Sequence, residues 1–289
     1  MIRIATRGSA LARWQAERVG SRLGDVEYVL ITTTGDRDQT SELHAIGGQG
    51  VFTKEVQQAV LDGRADIAVH SAKDLPSATP EGLVLASVPE RGDVRDALVG
   101  STLDALPQGG RVGTGAVRRQ AQLAALRPDL SFGPLRGNIE TRLRKRSEMG
   151  YDAVVVAYAA LERLGLASEA TEVLEPDVML PQVAQGALAV ESRGSDDATL
   201  ARLHAIDDPV AHRAVDAERA FLAELGGGCD LPCGALARVD GGTVVLDALL
   251  ASVDGQIVVR ARHIGTDGVA AGAAAARQVR DAFRDEVAS

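Results

Sequence analysis

The 289-residue sequence is poor in cysteine, lysine and aromatic residues. Its two cysteines, Cys229 and Cys233, are too few for the disulfide framework typical of small secreted proteins. No apolar run approaches the ~20 residues of a membrane-spanning helix. The chain also enters a strand pattern at Met1–Ala5 without the apolar core of a signal peptide. These features predict a protein of the reducing cytoplasm that has no membrane partner.

Positive charge is the scarcer of the two signs, with 31 Lys and Arg residues against 40 Asp and Glu residues. The resulting net charge of −9 argues against nucleic acid as a partner of the whole molecule. Nearly all the basic residues are arginines, since only Lys54, Lys73 and Lys145 are lysines. Codon bias in a GC-rich genome would explain this, and so would selection of planar guanidinium groups for binding carboxylates or phosphates. The positions of the arginines must decide.

Strand and helix patterns alternate through the first two thirds of the chain, which predicts an α/β fold with parallel strands. Strand-like segments are Ile2–Ala5, Val26–Thr32 and Asp66–His70, and helical ones are Ser9–Leu23 and Val51–Leu61. A second alternation predicts strands at 111–113, 130–132 and 153–157 and helices at 116–126, 139–146 and 161–164. The C-terminal part differs, with a long helix at 212–225, a meander of strands at 235–239, 243–251 and 256–264, and an Ala-rich helix at 269–287.

Two stretches are typical of crossings between lobes, the polar segment Pro89–Val94 and the region of Leu180–Gln182. We therefore predict two α/β lobes around a cleft, followed by a C-terminal α+β domain with a small antiparallel sheet. Lobe 1 is expected at 1–91 and 187–204, lobe 2 at 95–180, and the C-terminal domain at 209–289. Bilobal binding proteins of this plan hold their ligand between the lobes.

Arginines stand at three places where a predicted strand gives way to a helix. These turns are Ile4–Ser9, with Arg3 just upstream, Val112–Arg119 and Leu135–Arg142. Each leads into a helix whose first N–H groups lack partners, and an arginine adds a bidentate donor for an anion. The sequence has neither a Gly-Lys-Ser/Thr phosphate loop nor a GxGxxG pattern in its first strand–turn–helix unit, which favours carboxylates over phosphates as ligands.

Two single residues suggest chemistry. Asp74 follows a short buried strand, at the carboxyl end where open α/β sheets place ligand-handling residues. It is either half of a solvated pair with Lys73 or a carboxylate that stabilises a cation or moves a proton. Cys229 follows the glycines at 226–228, where little side-chain cover is expected and a large group could reach the thiol. The histidines show no metal-ligand spacing with either cysteine, so no metal is predicted.

Taken together, these segments resemble the porphobilinogen deaminase family over essentially the whole chain. The motifs that carry the resemblance are, in order, RIATRGSALARWQA (3–16), GVFTKE (50–55), ADIAVHSAKDLP (65–76), VGTGAVRRQAQL (112–123), LRGNIETRL (135–143), LERLGL (161–166), QGALAVE (185–191) and AERAFLAELGGGC (217–229). Several motifs are loose individually, but their order and spacing are specific.

The resemblance implies a transferase of tetrapyrrole and haem biosynthesis. Enzymes of this family are also called hydroxymethylbilane synthases. The chain would join four porphobilinogen molecules head to tail, releasing ammonia, on a dipyrromethane cofactor held by a thioether. The cysteine that holds this cofactor matches Cys229. The implied fold has two periplasmic-binding-protein-like lobes and a C-terminal domain, and we expect a cytoplasmic monomer.

The resemblance also implies roles for individual residues. The catalytic aspartate of the family falls on Asp74. Its cofactor- and substrate-binding residues fall on Arg3, Arg7, Ser9, Lys73, Thr114, Arg118, Arg119, Arg136, Arg142, Arg163 and Gln185. Phe52 matches an aromatic residue near the active-site loop, where Gln49 replaces a residue that is usually basic.

A further departure is that Gly115 and Ala116 replace residues with hydroxyl groups. Together with Gln49, these changes leave a slow, divergent paralogue as one alternative. A non-catalytic bilobal anion-binding protein is another.

Overall fold

The computed structural model describes residues 1–37, 50–226 and 231–288. Two predicted site residues, Gln49 and Cys229, lie outside the described residues. The chain divides into two compact units, the first formed by Met1–Gly92 with Gly186–Val215 and the second by Asp93–Gln185 with Asp216–Ser289. The finer division into three domains stays a prediction. Among the described residues, no helix has the length and apolarity needed to span a membrane.

The described strands and helices follow one another as an alternating α/β chain that ends in a meander. The strands are β1 (Ile2–Arg7), β2 (Val26–Ile31), β3 (Ile67–Ser71), β4 (Leu83–Ser87), β5 (Asp96–Val99), β6 (Arg111–Gly113), β7 (Ser131–Gly133), β8 (Ala153–Ala157), β9 (Glu172–Leu174), β10 (Leu188–Arg193), β11 (Cys233–Asp240), β12 (Thr243–Ala251) and β13 (Val258–Gly265). The helices are α1 (Ala10–Leu23), α2 (Thr34–Arg37), α3 (Lys54–Leu61), α4 (Val117–Leu126), α5 (Ile139–Glu148), α6 (Tyr158–Arg163), α7 (Asp197–His204), α8 (Pro209–Leu225) and α9 (Gly268–Ala288), with 3-10 turns at Ala72–Asp74 and Ala167–Glu169.

Unit 1 is built on a sheet with the strand order β2-β1-β3-β10-β4. Strand β1 is parallel to β2 and β3, and β10 runs antiparallel to both of its neighbours. Because side chains alternate along β1, Ile2 and Ile4 pack in one core cluster with α1, whereas Ala5 packs in another with α3. Burial of both faces of the sheet explains the apolar runs Ile67–Val69 in β3 and Leu188–Val190 in β10.

Unit 2 repeats this plan in a sheet ordered β7-β6-β8-β5-β9, in which β5 is the antiparallel insertion. Its core includes Leu98, Leu123 and Met179. The antiparallel sheet β11-β12-β13 belongs to the same unit, and a buried cluster that includes Ala121 and Leu249 joins it to α4. The predicted fold class, two α/β lobes with a further α+β part, is confirmed.

The patterns that predicted β1–β3, β6–β8 and the C-terminal meander are also confirmed. The sequence patterns did not predict β4, β5, β9, β10, α2 or α7. Both antiparallel insertions are in this group. All four residues of β5 are buried and β10 is buried in five of its six, so neither shows the alternation by which a half-buried strand is recognised.

Candidate active site

The carboxyl ends of the parallel strands of unit 1 bring four predicted site residues to one edge of the sheet. Arg7 ends β1, and Ser9 caps the helix that follows, with its Oγ accepting a hydrogen bond from the Ala12 N–H at 3.3 Å. Lys73 and Asp74 form the turn after β3, which is parallel to β1. These four residues therefore lie at the carboxyl-terminal edge of the sheet, and their roles in catalysis and binding stay predictions.

Arg7 is fixed by a carboxylate of its own unit. Its Nε lies 3.2 Å from each carboxylate oxygen of Asp36, and its Nη2 donates a further hydrogen bond to Oδ1. The Cζ atom of Arg7 lies 4.3 Å from the centroid of the Phe52 ring, a cation–π geometry. Burial alone would raise the pKa of Asp36, but hydrogen bonds from Arg7 and Thr33 hold that pKa below its usual range.

Asp74 differs from Asp36 because its side chain is exposed. The strand that carries its turn is anchored by buried polar groups. Ser71 Oγ accepts a hydrogen bond from Gln15 Nε2 at 2.6 Å. One residue earlier, buried His70 places Nε2 3.2 Å from Oε2 of the buried Glu191. The 3-10 turn thus presents an accessible carboxylate on a rigid base.

Arg3 does not lie with these residues. Asp66, just before β3, accepts hydrogen bonds from the Arg3 backbone N–H at 2.8 Å and from Nη2 at 2.6 Å. Arg3 is four residues before Arg7 on the same strand, a separation of about 13 Å along a strand. It therefore belongs to the amino-terminal edge of the sheet, and its proposed ligand contact stays a prediction.

In unit 2 the corresponding edge carries the segments that follow β6, β7 and β8. Thr114 follows β6, Arg136 follows β7, and Arg163 ends helix α6, which follows β8 directly. Thr114 Oγ1 accepts a hydrogen bond from the Ala116 N–H at 3.2 Å. Arg142 lies in α5, and its Nε donates to the Gly137 carbonyl at 2.8 Å. Thr114, Arg136, Arg142 and Arg163 thus belong to loops or helices at one edge.

The glycine at position 115 has a structural cause. A Cβ atom added there would lie 2.7 Å from the carbonyl oxygen of Leu135, which is closer than real Cβ contacts allow. The turn after β6 therefore packs directly against the backbone of the turn after β7. A hydroxyl side chain at 115 would require one of the two turns to move.

Arg118 and Arg119 are buried, each only 4% exposed, and share one carboxylate, that of the fully buried Asp96. Arg118 Nη2 donates to Asp96 Oδ2 at 2.7 Å. Arg119 donates to Oδ1 from Nε at 3.1 Å and from Nη2 at 2.7 Å. Gln185, also fully buried, donates from Nε2 to Oδ1 at 2.9 Å. Burial alone would raise the pKa of Asp96, but the two guanidinium groups hold it far below its usual range.

This buried cluster has two positive charges and one negative charge. Burial lowers the pKa of Arg118 despite the opposing effect of Asp96, and its Nε has no hydrogen-bond partner among the described residues. A buried cation that is not fully compensated is costly, so an additional anion would stabilise the cluster. Gln185 contacts Asp96 directly, whereas its predicted contact with a ligand stays a prediction.

The sequence analysis did not identify Asp36, Asp96 or Glu191. Asp96 opens a fully buried strand, Asp96–Val99, and a charged residue at the head of an apolar strand is a signal of a buried partner. That partner is the tandem Arg118-Arg119, more than twenty residues away, which the sequence pattern could not pair with it.

The comparisons with known proteins identify the family. The family model described as "Porphobilinogen deaminase, dipyromethane cofactor binding domain" matches residues 2–201, and the model of the C-terminal domain matches residues 212–281. The porphobilinogen deaminase of Roseiflexus castenholzii is 48% identical over 289 residues, covering 96% of this chain and 95% of that protein. The chain belongs to the porphobilinogen deaminase family. The porphobilinogen deaminase of Syntrophotalea carbinolica is similarly 48% identical, covering 90% of this chain and 85% of that protein.

Membership of the porphobilinogen deaminase family establishes the reaction. The chain is a transferase that joins four porphobilinogen molecules into hydroxymethylbilane on a dipyrromethane cofactor, releasing ammonia. The residues of unit 2 fit this cofactor, whose two rings carry acetate and propionate groups. They provide a cationic donor set at one edge and, at Arg118, a buried N–H without a partner among the described residues. In the same described ranges, no group of His, Cys, Asp and Glu side chains could hold a metal ion.

Proposed function

We propose that Asp74 is the catalytic residue of the polymerisation and that Cys229 is the attachment point of the dipyrromethane. One observation carries the proposal for Asp74. It is an exposed carboxylate at the carboxyl end of β3, whereas Asp36 and Asp96 are both engaged by arginines. Asp74 is therefore available to the substrate, and the other two carboxylates hold cationic side chains in place.

The chemistry of the substrate suits an exposed carboxylate. Loss of ammonia from the aminomethyl group of porphobilinogen leaves a cationic methylene-pyrrolenine. A carboxylate placed at the pyrrole N–H stabilises that positive charge and can accept the proton released later in the condensation. Lys73, the adjacent residue, supplies a positive charge suited to a substrate carboxylate. When bound, the dipyrromethane supplies the chain end to which porphobilinogen is added.

The arginines of unit 2 would bind the acetate and propionate groups. Arg136, Arg142 and Arg163 are partly buried, and Arg118 and Arg119 form a buried cationic cluster in the same unit. Guanidinium groups are suited to this task because they bind carboxylates through two parallel hydrogen bonds. In unit 1, the guanidinium group of Arg7 would bind a carboxylate in the same way, and the hydroxyl group of Ser9 would donate a hydrogen bond to it.

The described residues that follow Cys229 in the sequence support attachment there. Gly234 is five residues after Cys229 in the sequence. A Cβ added to Gly234 would lie 3.3 Å from Cδ of Arg118. The described chain that follows the attachment point thus packs against an arginine of the proposed binding set.

Intact-mass measurement of the purified protein tests the attachment. We expect an adduct of two deaminated porphobilinogen units that persists under strong reductant, because a thioether does not exchange with thiols. The adduct should be absent in Cys229→Ala and present in the matched variant Cys233→Ala. An unmodified mass after incubation of the wild-type chain with porphobilinogen would contradict the proposal and favour a non-catalytic anion-binding protein.

We also propose that the enzyme acts as a cytoplasmic monomer without a nucleic-acid partner. The net charge of −9 supports the last point, since the chain as a whole repels polyanions. A free thiol at Cys229 must remain reduced until the cofactor is attached, which suits a reducing compartment. Sedimentation of the purified chain would test the monomer, and a dimer would contradict it.

A further inference from the structure

We propose that Glu218 is a positioning residue for the arginine pair Arg118 and Arg119. It acts through the turn that contains Ala184 and Gln185, and the proposal rests on the role in carboxylate binding that we assign to the pair. All of these residues belong to unit 2. Direct contacts connect helix α8 to the two guanidinium groups.

Glu218 is a fully buried carboxylate on α8 that accepts hydrogen bonds from two backbone segments. Its Oε2 accepts the N–H of Ala184 at 2.6 Å, and its Oε1 accepts the N–H of Ala237 at 2.7 Å. A buried carboxylate that receives two such bonds fixes both donors, because neither N–H can lose its partner without a desolvation penalty. Glu218 therefore ties the 181–185 turn to the helix and to β11.

The backbone that Glu218 holds at Ala184 is strained. Ala184 has φ of +59°, and it is the only residue other than glycine with a positive φ in the parts of the chain that the structure describes. An alanine in this left-handed region is unfavourable and persists only where the surroundings enforce it. The bond from the Ala184 N–H to Glu218 is such a constraint.

The next residue transmits this conformation to the arginine pair. Gln185 donates from Nε2 to Asp96 Oδ1 at 2.9 Å and to the Val94 carbonyl at 2.8 Å. Oδ1 of Asp96 also accepts both hydrogen bonds from Arg119, and Oδ2 accepts the one from Arg118. A change of φ at Ala184 would displace Gln185 and remove one of the donors that orient this carboxylate.

Helix α8 gives the arrangement a functional consequence. It ends at Leu225, four residues before Cys229 in the sequence. The same helix thus carries the carboxylate that sets the arginine pair and leads into the segment proposed to hold the cofactor. Glu218 would therefore couple helix α8 to the arginine pair.

Glu218→Gln tests the proposal, because the amide NH2 cannot accept the hydrogen bond that one carboxylate oxygen receives. We expect the holoenzyme to form with a normal adduct mass, and its KM for porphobilinogen to rise about tenfold with kcat changed less than about threefold. Hydrogen exchange of the Ala184 backbone amide should become faster than in the wild-type protein, when both full chains are measured without the dipyrromethane cofactor. The control is Glu224→Gln on the same helix, whose carboxylate pairs with Arg277 and Arg280 and contacts neither segment.

The second half of the test is a rescue. Glycine adopts a positive φ without strain. Ala184→Gly in the Glu218→Gln background should therefore lower KM most of the way back to the wild-type value. A KM within twofold of the wild-type value in Glu218→Gln, or no recovery in the double variant, would overturn the proposal. If Glu218→Gln fails to fold, Gln185→Met removes the hydrogen bond from Gln185 to Asp96 instead. An unchanged KM in Gln185→Met would also overturn the proposal.

A parallel variant separates this proposal from the function on which it rests. Arg119→Lys keeps the charge but loses the planar fork, so KM should rise if Arg119 helps to bind substrate or cofactor carboxylates. A rise in Arg119→Lys without one in Glu218→Gln would refute only the positioning role. An unchanged KM in Arg119→Lys would refute the carboxylate-binding role of this arginine, and the positioning role with it.

Discussion

The two α/β sheets share one strand order but use their carboxylates in opposite ways. In unit 1 an exposed carboxylate, Asp74, lies in the 3-10 turn that follows the third parallel strand. In unit 2 the important carboxylate, Asp96, is fully buried on the antiparallel insertion and holds two arginines. We propose that the two edges divide the work within one repeated plan, with one edge supplying the reacting carboxylate and the other a rigid cationic scaffold.

The largest effect on stability is expected from Asp96→Asn, which breaks the scaffold of unit 2. Removing this charge leaves two buried guanidinium groups without their counter-ion, and breaking a buried ion pair in this way costs about 3–5 kcal/mol. Denaturant unfolding of the full chain measures the loss. Asp281→Asn in the same unit is the control, because its carboxylate is 69% exposed and lies 4.0 Å from Arg284. A loss below about 1 kcal/mol in Asp96→Asn would contradict the account.

A smaller effect on stability is expected from substitutions at a matched pair of glycines, Gly115 in unit 2 and Gly8 in unit 1. Each glycine directly precedes the N-cap residue of a helix, α4 or α1. Gly115→Ser should destabilise unit 2 by about 1–3 kcal/mol, since its Cβ would approach the Leu135 carbonyl. Gly8→Ser should change the free energy of unfolding by no more than about 0.5 kcal/mol, because nothing lies within 4 Å of a Cβ at position 8. Equal losses in the two variants would show that the turns of the two units are equally crowded.

The stability of the protein at acidic pH should depend on the carboxylates of Asp36 and Asp96. The pKa values of Asp36 and Asp96 are lowered in the folded protein, so the stability they confer is complete above the unfolded pKa, about 3.9. It is lost as pH falls through the folded values. Between about pH 4 and pH 3, each carboxylate adds up to about 1.4 kcal/mol per pH unit to the slope of the unfolding free energy.

Unfolding measured at several pH values in this window checks the prediction. The slope should be shallower in Asp96→Asn and in Asp36→Asn than in the wild-type chain. Equal slopes in these three proteins would contradict the stabilising role assigned to the ionised carboxylates of Asp36 and Asp96.

The sequence was sufficient for the parts of the fold that repeat locally. Alternating strand and helix patterns predicted the parallel strands, and they placed Arg7 and Asp74 each at the end of a predicted strand. It was insufficient for β5 and β10, which are buried and antiparallel and show no alternation. Their positions depend on pairing with strands far away in the chain.

The same limit applies to the site. The family resemblance predicts that Arg118 and Arg119 bind carboxylates, but neither it nor the sequence pattern indicated that both side chains are buried against Asp96. Two arginines at the start of a helix give the same sequence pattern whether they face solvent or a buried acid. Burial is decided by tertiary packing, so the pairing of both arginines with Asp96 became visible only in the structure.

The most direct test of the central claim is the single-turnover rate of Asp74→Asn, measured on protein whose dipyrromethane adduct has been verified by intact mass. The account predicts a normal adduct and a free energy of unfolding within about 0.5 kcal/mol of the wild-type value. It also predicts that the rate of porphobilinogen addition falls by about 10²- to 10⁴-fold. A wild-type rate in this variant would contradict the claim that unit 1 supplies the reacting carboxylate.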